Sequence, residues 1–298
     1  MALEHEEWKG TTGGLPWMQR TMIKWLSVID QRVIYVALVM IFVPFYMLTC
    51  NREYRAMYHF YHRVRREPWW KSFAHVFVNQ YHFGQVIVDR FAAFGGREFK
   101  FEMDDREWAV YCGMANADDG FLQLSCHMGN YELAGYILRQ PKKTMHALVF
   151  MGETETMMQN RAKLFAPRGV EMVPVMPDMS HIFALNNALR DGNVASMPGD
   201  RIFGSTKAVE CRMLGHRVQL PQGPFQLAVT REVRLMAVWV MKASHDTYRV
   251  HCHELKANPE LKKSERVADL ARQFAAHMEQ MIEQYPTHWF NYFEFFEQ

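Results

Sequence analysis

His127 stands five positions before Glu132 in "SCHMGNYEL". An imidazole beside a carboxylate can do general-base chemistry. The carboxylate holds one ring nitrogen, fixes the tautomer and raises the basicity of the other, which then takes a proton from a hydroxyl. On spacing alone, the same pair also fits a packed core histidine with an incidental surface glutamate. A second reactive group lies at Asp200-Arg201 in "PGDR". There a guanidinium suits phosphate and an aspartate orients its neighbours or caps a turn, with a local ion pair as the plain alternative. Gly223 opens a helical stretch in "PQGPFQLA", where backbone amides also suit an anion. Cys126 beside His127 invites a thiolate nucleophile, but adjacent residues at a strand end point apart and a buried thiol is inert. His251 and His253 would share one face of a strand, yet two ligands without a partner pair do not make a metal site, so no metal is expected.

These residues need rigid elements behind them. From about residue 96 onward, short apolar runs alternate with helical stretches: "GFLQLS" then "NYELAGYILRQ", "MHALVF" then "ETMMQNRAKLF", "VEMVPV" then "SHIFALNNALRDG", then "NVASM". That alternation predicts an α/β fold with a mostly parallel central sheet and covering helices. Further on, "VECRMLGHRVQL" reads as a tight hairpin and "VRLMAVWVMKASHDTYRVHCHEL" as two antiparallel strands. "SERVADLARQFAAHMEQMIEQY" reads as a long amphipathic helix stopped by Pro286. In a parallel sheet, ligands collect beyond the carboxyl ends of the strands. His127, after "LQLSC", is therefore expected at that rim, with Glu132 in the first turn of the next helix. Gly129 of the same turn would permit close approach of another backbone or a ligand.

Residues 1–95 differ in texture: aromatic and aliphatic residues recur at helical spacing, and "AAFGGRE" marks a boundary with a region spanning 96–298. Within it, "VIYVALVMIFVPFYMLT" (33–49) carries no charge, and a spanning helix needs roughly 20 such residues. Arg55, Arg63, Arg65, Arg66 and Lys71 then interleave with tyrosines and tryptophans, a mixture suited to an anionic membrane surface. The expectation is an N-terminal helical membrane-associating hairpin, single-span or monotopic through 33–49, without the flanks of a removable signal peptide. The alternative is a buried hairpin helix followed by a solvated amphipathic one. A net charge of +2 gives no field for nucleic acid, and five scattered cysteines suit reduced thiols.

Taken in order, these motifs resemble the lysophospholipid acyltransferase superfamily, in its bacterial lipid A biosynthesis (late) acyltransferase-like branch. His127 and Glu132 match the family's H-x4-D/E motif, and Asp200 matches its aspartate after a buried strand. "CRMLGHRVQLPQGPFQLA" matches a glycine- and proline-bearing element, and "PTHWFNYFEFF" the C-terminal ending. "EHEEWKGTTGG" and the apolar hairpin fit as well. The resemblance implies acyl transfer without an acyl-enzyme: His127, ordered by Glu132, activates an acceptor hydroxyl that attacks an acyl thioester. The absence of a G-x-S-x-G elbow agrees. Backbone amides near Gly129 or in the "PQGP" turn would hold the oxyanion. Gly129, Asn130, Asp200, Arg201 and Gly223 are the expected substrate or donor contacts, and Arg161 is either a family-type arginine or a helix surface.

The resemblance implies no cofactor, with acyl-acyl carrier protein or acyl-coenzyme A as co-substrate. The expected partners are membrane lipids and that thioester, at the cytoplasmic face of a bacterial inner membrane. The acceptor stays open between a lipid A-type glycolipid and other amphipathic molecules. A thioesterase, or an idle lipid- or carrier-binding protein on the same fold, are the alternatives.

Overall fold

The computed structural model describes residues 21, 23–26, 28–49, 51–133, 142–149, 155–176, 178–202 and 207–296. The "EHEEWKGTTGG" motif lies outside them. Helix α1 (Gln31–Thr49) starts at Asp30, whose side chain accepts from the Arg32 amide at 2.9 Å. A π-helical turn at Leu38–Phe42 comes just before Pro44, whose ring nitrogen has no proton to give the helical ladder. Helix α2 (Asn51–His59) runs into a second π-helical turn, Phe60–Val64. Helix α3 (Trp69–Phe94) ends at Gly95, followed by Gly96 at φ +91°.

Beyond it come β1 (Lys100–Met103), α4 (Asp105–Ala115), β2 (Phe121–Ser125) and β3 (Met145–Val149). Then follow α5 (Glu155–Phe165), β4 (Val170–Pro174), α6 (Ser180–Arg190) and β5 (Val194–Pro198). Strands β6 (Ala208–Met213) and β7 (His216–Pro221) form the expected antiparallel hairpin. The chain closes with α7 (Gln222–Arg231), β8 (Arg234–Lys242), β9 (Thr247–Leu255) and α8 (Lys263–Gln284).

Seven strands form one sheet in the order β1-β9-β8-β2-β5-β3-β4. The five from β8 to β4 run parallel. Strand β9 pairs antiparallel with β8 and parallel with β1. The sheet is thus mostly parallel, as the alternation of runs predicts. Alternate residues serve opposite faces. Leu122, Leu124, Leu235, Ala237, Trp239 and Met241 enter one core with α8, while Phe121, Met236, Val238 and Val240 enter a second core with α3 and α4. Helix α8 buries Val267, Leu270, Ala271, Phe274, Ala275, Met278, Met281 and Ile282, the stripe expected of an amphipathic helix lying on a sheet.

Two differences from the sequence reading stand out. Strand β1 and helix α4 fill a stretch that the pattern of runs leaves unassigned. The helix expected from Asn130 onward is, where described, a 3-10 turn at Tyr131–Leu133, and residues 134–141 lie outside the described part.

Candidate active site

Strands β2 and β5 lie side by side in register, Ser125 opposite Pro198. The ladder continues one residue further, with the Gly199 amide donating to the Ser125 carbonyl at 2.8 Å. His127 and Asp200 each follow their strand by two residues, so the register brings them together at the carboxyl edge. The Asp200 carboxylate accepts from the His127 amide at 2.8 Å through Oδ2. It also meets His127 Nδ1, at 3.0 Å from Oδ1 and 3.1 Å from Oδ2. A carboxylate at Nδ1 selects the tautomer with the proton there and leaves Nε2 with its lone pair. The His127 side chain is 18% exposed and that of Asp200 only 1%, so the imidazole is reachable and its partner is not.

Burial lowers the His127 pKa below the ordinary histidine value, with Asp200 opposing and Arg201 adding to the depression. At neutral pH the ring is therefore a free base. Burial alone would raise the Asp200 carboxyl, but His127 and Arg201 hold it below the usual range.

Glu132, expected to hold the imidazole, is engaged elsewhere. Its Oε1 accepts from Arg90 Nη1 at 2.7 Å and Arg161 Nη2 at 2.7 Å, and its Oε2 from Arg161 Nε at 3.2 Å. The tight turn at Tyr131–Leu133 carries the carboxylate toward α3 and α5, the helices that bear those arginines. Against the cost of burial, Arg161 and Arg90 hold its pKa at about 2. Asp200 therefore takes the position beside His127 that the sequence reading gave to Glu132. Arg161, left undecided by the sequence, is a buried partner of this carboxylate rather than an open helix surface.

The loop carrying His127 is clamped by backbone on both sides. Gly129 bridges Val240 of β8, and Met128 bridges Trp289 of the C-terminal segment. The Met128 amide donates to the Cys126 carbonyl at 2.7 Å, Gly129 to His288 at 2.9 Å and Asn130 to Val240 at 2.8 Å, while the Phe290 amide donates to the His127 carbonyl at 2.8 Å. All four amides from 127 to 130 are thus committed, so the oxyanion donors expected near Gly129 are not open there.

Gly129 serves the backbone instead. At φ +62°, a Cβ added there would stand 2.3 Å from the Val240 carbonyl oxygen. Asn130 is likewise held inside, its Nδ2 donating to the Tyr248 hydroxyl at 3.1 Å. Arg201 is half-buried alongside: Nη2 donates to the Phe290 carbonyl at 3.0 Å and the guanidinium lies 5.6 Å over the Phe293 ring. Gly223 is exposed in the first turn of α7, and the space into which a Cβ would point is open.

The C-terminal segment, read from the sequence only as the family's ending, is part of the site that sequence reasoning missed. Asn79 of α3 donates to the carbonyls of Thr287 and Trp289 at 3.1 and 2.8 Å. Tyr292 in turn donates to Asn79 Oδ1 at 3.1 Å. A buried asparagine, facing a segment that ends in aromatics, was the available signal.

Burial keeps five of the described histidines below their ordinary value: His82, His127, His253, His277 and His288, the last at about 3. The unfolded chain binds protons at these positions more readily than the folded one. Stability is therefore expected to fall as pH drops below the unfolded value near 6.5 and toward the folded values. Melting temperatures measured from pH 8 to pH 5 should decline progressively below about pH 7. Each pK unit corresponds to about 1.4 kcal/mol. A flat profile across that range would contradict the neutral, partly buried state of these rings.

The family model of bacterial lipid A biosynthesis acyltransferases matches residues 105–294. The fold is also similar to the crystal structure of the 1-acyl-sn-glycerophosphate (LPA) acyltransferase PlsC from Thermotoga maritima, with a TM-score of 0.41 at 10% identity, over 92% of this chain and 99% of that one. No curated protein sequence matches the chain. The family match covers more than half of the 298 residues and includes His127, Glu132, Asp200 and Arg201, so the chain belongs to the bacterial lipid A biosynthesis acyltransferase family and is an acyltransferase.

Proposed function

We propose that the protein moves a fatty acyl group from an acyl thioester, on acyl carrier protein or coenzyme A, to a hydroxyl of a lipid A-type glycolipid or another amphipathic acceptor. The observation that carries this reading is the contact of Asp200 with His127 Nδ1, which leaves Nε2 as the unprotonated nitrogen of a partly exposed ring. The acceptor O–H gives its proton to Nε2 while the oxygen attacks the thioester carbonyl. The C–S bond then breaks, and the imidazolium returns the proton to the departing thiolate. With the loop amides committed, negative charge on the tetrahedral oxygen falls to guanidinium groups. Arg201, whose charge already bears on His127, is the first candidate. The test compares wild type with His127→Ala, using long-chain acyl thioesters and extracted bacterial lipids. Equal acyl transfer by both proteins overturns the mechanism. Free fatty acid released without an acceptor would instead mark a thioesterase.

The reading places the protein on a membrane surface. Among the described residues, α1 is the one helix long and apolar enough to cross a bilayer. It exposes Val33, Val36, Met40, Ile41, Phe45 and Leu48. Helix α1 nonetheless lies along α3: Tyr35 bonds Asp89, and Leu38 packs against Gly84. Arg32 at its start meets His245, in the turn between β8 and β9, at 2.7 Å. Helix α3 is itself fixed to the sheet domain through Asn79 and Arg90. A helix bound along its length to such a partner lies in the interface rather than across it. Trp69, Trp70 and Phe73, exposed at the start of α3, extend the apolar surface. Single cysteines introduced at Val28 and at Glu53, on either side of the apolar run and both exposed, should react with an impermeant reagent from the same side of a vesicle. Labelling from opposite sides would indicate a span.

A further inference from the structure

The amides of His127, Met128, Gly129 and Asn130 are all engaged within the protein. A tetrahedral oxygen formed beside His127 therefore needs its hydrogen bond from a side chain. The next residue of the loop, Tyr131, offers one. Its ring packs edge-on against the imidazole, with centroids 5.3 Å apart and planes at 64°. The residue is half-buried. Among the described residues its hydroxyl meets no hydrogen-bond partner, and its oxygen is not one of the unpaired polar atoms shut away from water. Other tyrosines of this region are committed. Tyr61 donates to the Pro286 carbonyl at 2.8 Å, Tyr292 to Asn79 Oδ1 at 3.1 Å, and Tyr248 bonds Asp89.

Charges surround that hydroxyl. Glu132 follows it in the chain, Arg90 and Arg161 come from α3 and α5, and Arg201 comes from the end of β5. Burial and Glu132 push its pKa up to about 12, against the three arginines. The phenol thus keeps its proton wherever a histidine base operates. Arg201, whose charge bears on His127, also bears on Tyr131. A positive charge beside an O–H strengthens it as a donor.

We infer that Tyr131 is a further catalytic residue, its O–H donating to the thioester carbonyl oxygen as that oxygen becomes an oxyanion. This role rests on the acyl-transfer reading with His127 as base. As the acceptor oxygen bonds to the carbonyl carbon, its proton passes to His127 Nε2. The C=O π pair moves onto the oxygen that takes the Tyr131 hydrogen bond. Collapse re-forms C=O, the C–S pair leaves with sulfur, and the imidazolium returns the proton to the thiolate. Tyr131 keeps its own proton throughout. A hydrogen bond to an oxyanion is stronger than one to a neutral carbonyl, so the hydroxyl acts on kcat rather than on KM.

The experiment uses the full chain in lipid nanodiscs. Donors are lauroyl and palmitoyl thioesters of acyl carrier protein and of coenzyme A, with extracted bacterial lipids as acceptor. Tyr131→Phe removes one oxygen and keeps the ring on His127. It should lower kcat about 10²-fold, with KM within about twofold of wild type and the melting temperature unchanged. A second protein carries 3,5-difluorotyrosine in place of Tyr131, which keeps the hydroxyl on a more acidic phenol. It should work near the wild-type rate at neutral pH, then lose activity on the basic side where wild type stays flat, because ionisation removes the donor. A ring that only supports the loop would produce no such basic limb, and this profile decides the matter even where Tyr131→Phe fails to fold. Wild-type kcat in Tyr131→Phe, a rise in KM without a fall in kcat, or no new basic limb overturns the inference. His127→Ala separates the two levels. Wild-type transfer by His127→Ala, or no transfer by wild type from any donor, overturns the reading and the Tyr131 role together. Transfer that depends on His127 but not on the Tyr131 hydroxyl overturns the Tyr131 role alone.

Discussion

Changing Asp200 to asparagine should lower acyl transfer about as far as changing His127 to alanine, by roughly 10²–10⁴-fold. Asp200 receives two donors from one residue, the backbone amide and Nδ1 of His127. An asparagine has only one acceptor oxygen, and its NH₂ would face a ring nitrogen whose proton it must displace. The imidazole then loses the tautomer that leaves Nε2 basic. The pH profile separates this role from simple unfolding. A general base works when neutral, so the rate rises as pH climbs through the His127 pKa, which burial sets below the ordinary value and Asp200 raises. Removing that carboxylate should move the acid limb of kcat/KM to lower pH while the plateau drops. Glu132→Gln should behave differently. It leaves Arg90 and Arg161, both largely buried, facing a neutral group. The protein should lose stability and some turnover, with the acid limb displaced less than in Asp200→Asn, since Glu132 is the smaller of the two charges that raise the His127 pKa. If Glu132→Gln displaces the limb and Asp200→Asn does not, the assignment of the two carboxylates is reversed.

Much of this architecture was legible in the chain. Runs such as "GFLQLS" and "NVASM" are short, apolar and followed by polar turns, and they became the two strands whose ends carry His127 and Asp200. The pairing of those two residues was not legible. It depends on β2 and β5 being neighbours in a given register, and nothing local joins positions that lie 73 residues apart. Spacing favoured Glu132 because it is near in sequence, yet a 3-10 turn aims it at arginines contributed by α3 and α5.

Strand β1 was missed for a different reason. It is four residues long, sits at the sheet edge and is nowhere buried, so no apolar run announces it. The C-terminal segment holds the loop largely through backbone carbonyls and amides, which leave no side-chain pattern to read.

Lys242→Met should destabilise the protein by about 3–5 kcal/mol, the range for breaking one side of a buried ion pair. Asp89 is fully buried, and its carboxylate is bonded by Lys242 and by the hydroxyls of Tyr35 and Tyr248. The Lys242 ammonium also lies 5.2 Å from the Tyr35 ring centroid and 4.9 Å from that of Tyr248. Three elements, α1, α3 and the β8–β9 pair, thus meet on one charge. Burial already raises the Asp89 pKa, with Lys242 as the main opposing influence. Without the lysine, the carboxyl should stay protonated to higher pH. A group whose folded pKa is raised contributes most when protonated, and that contribution is lost as pH rises through the folded pKa. The deficit of Lys242→Met should therefore be larger at pH 8 than at pH 5. The double variant Asp89→Leu/Lys242→Met removes both charges, and should regain much of the loss and the pH dependence with it. Urea unfolding of the three proteins at both pH values measures this. An equal deficit at the two pH values would mean that lost packing around the lysine stem, not an unpaired carboxylate, sets the stability of this junction.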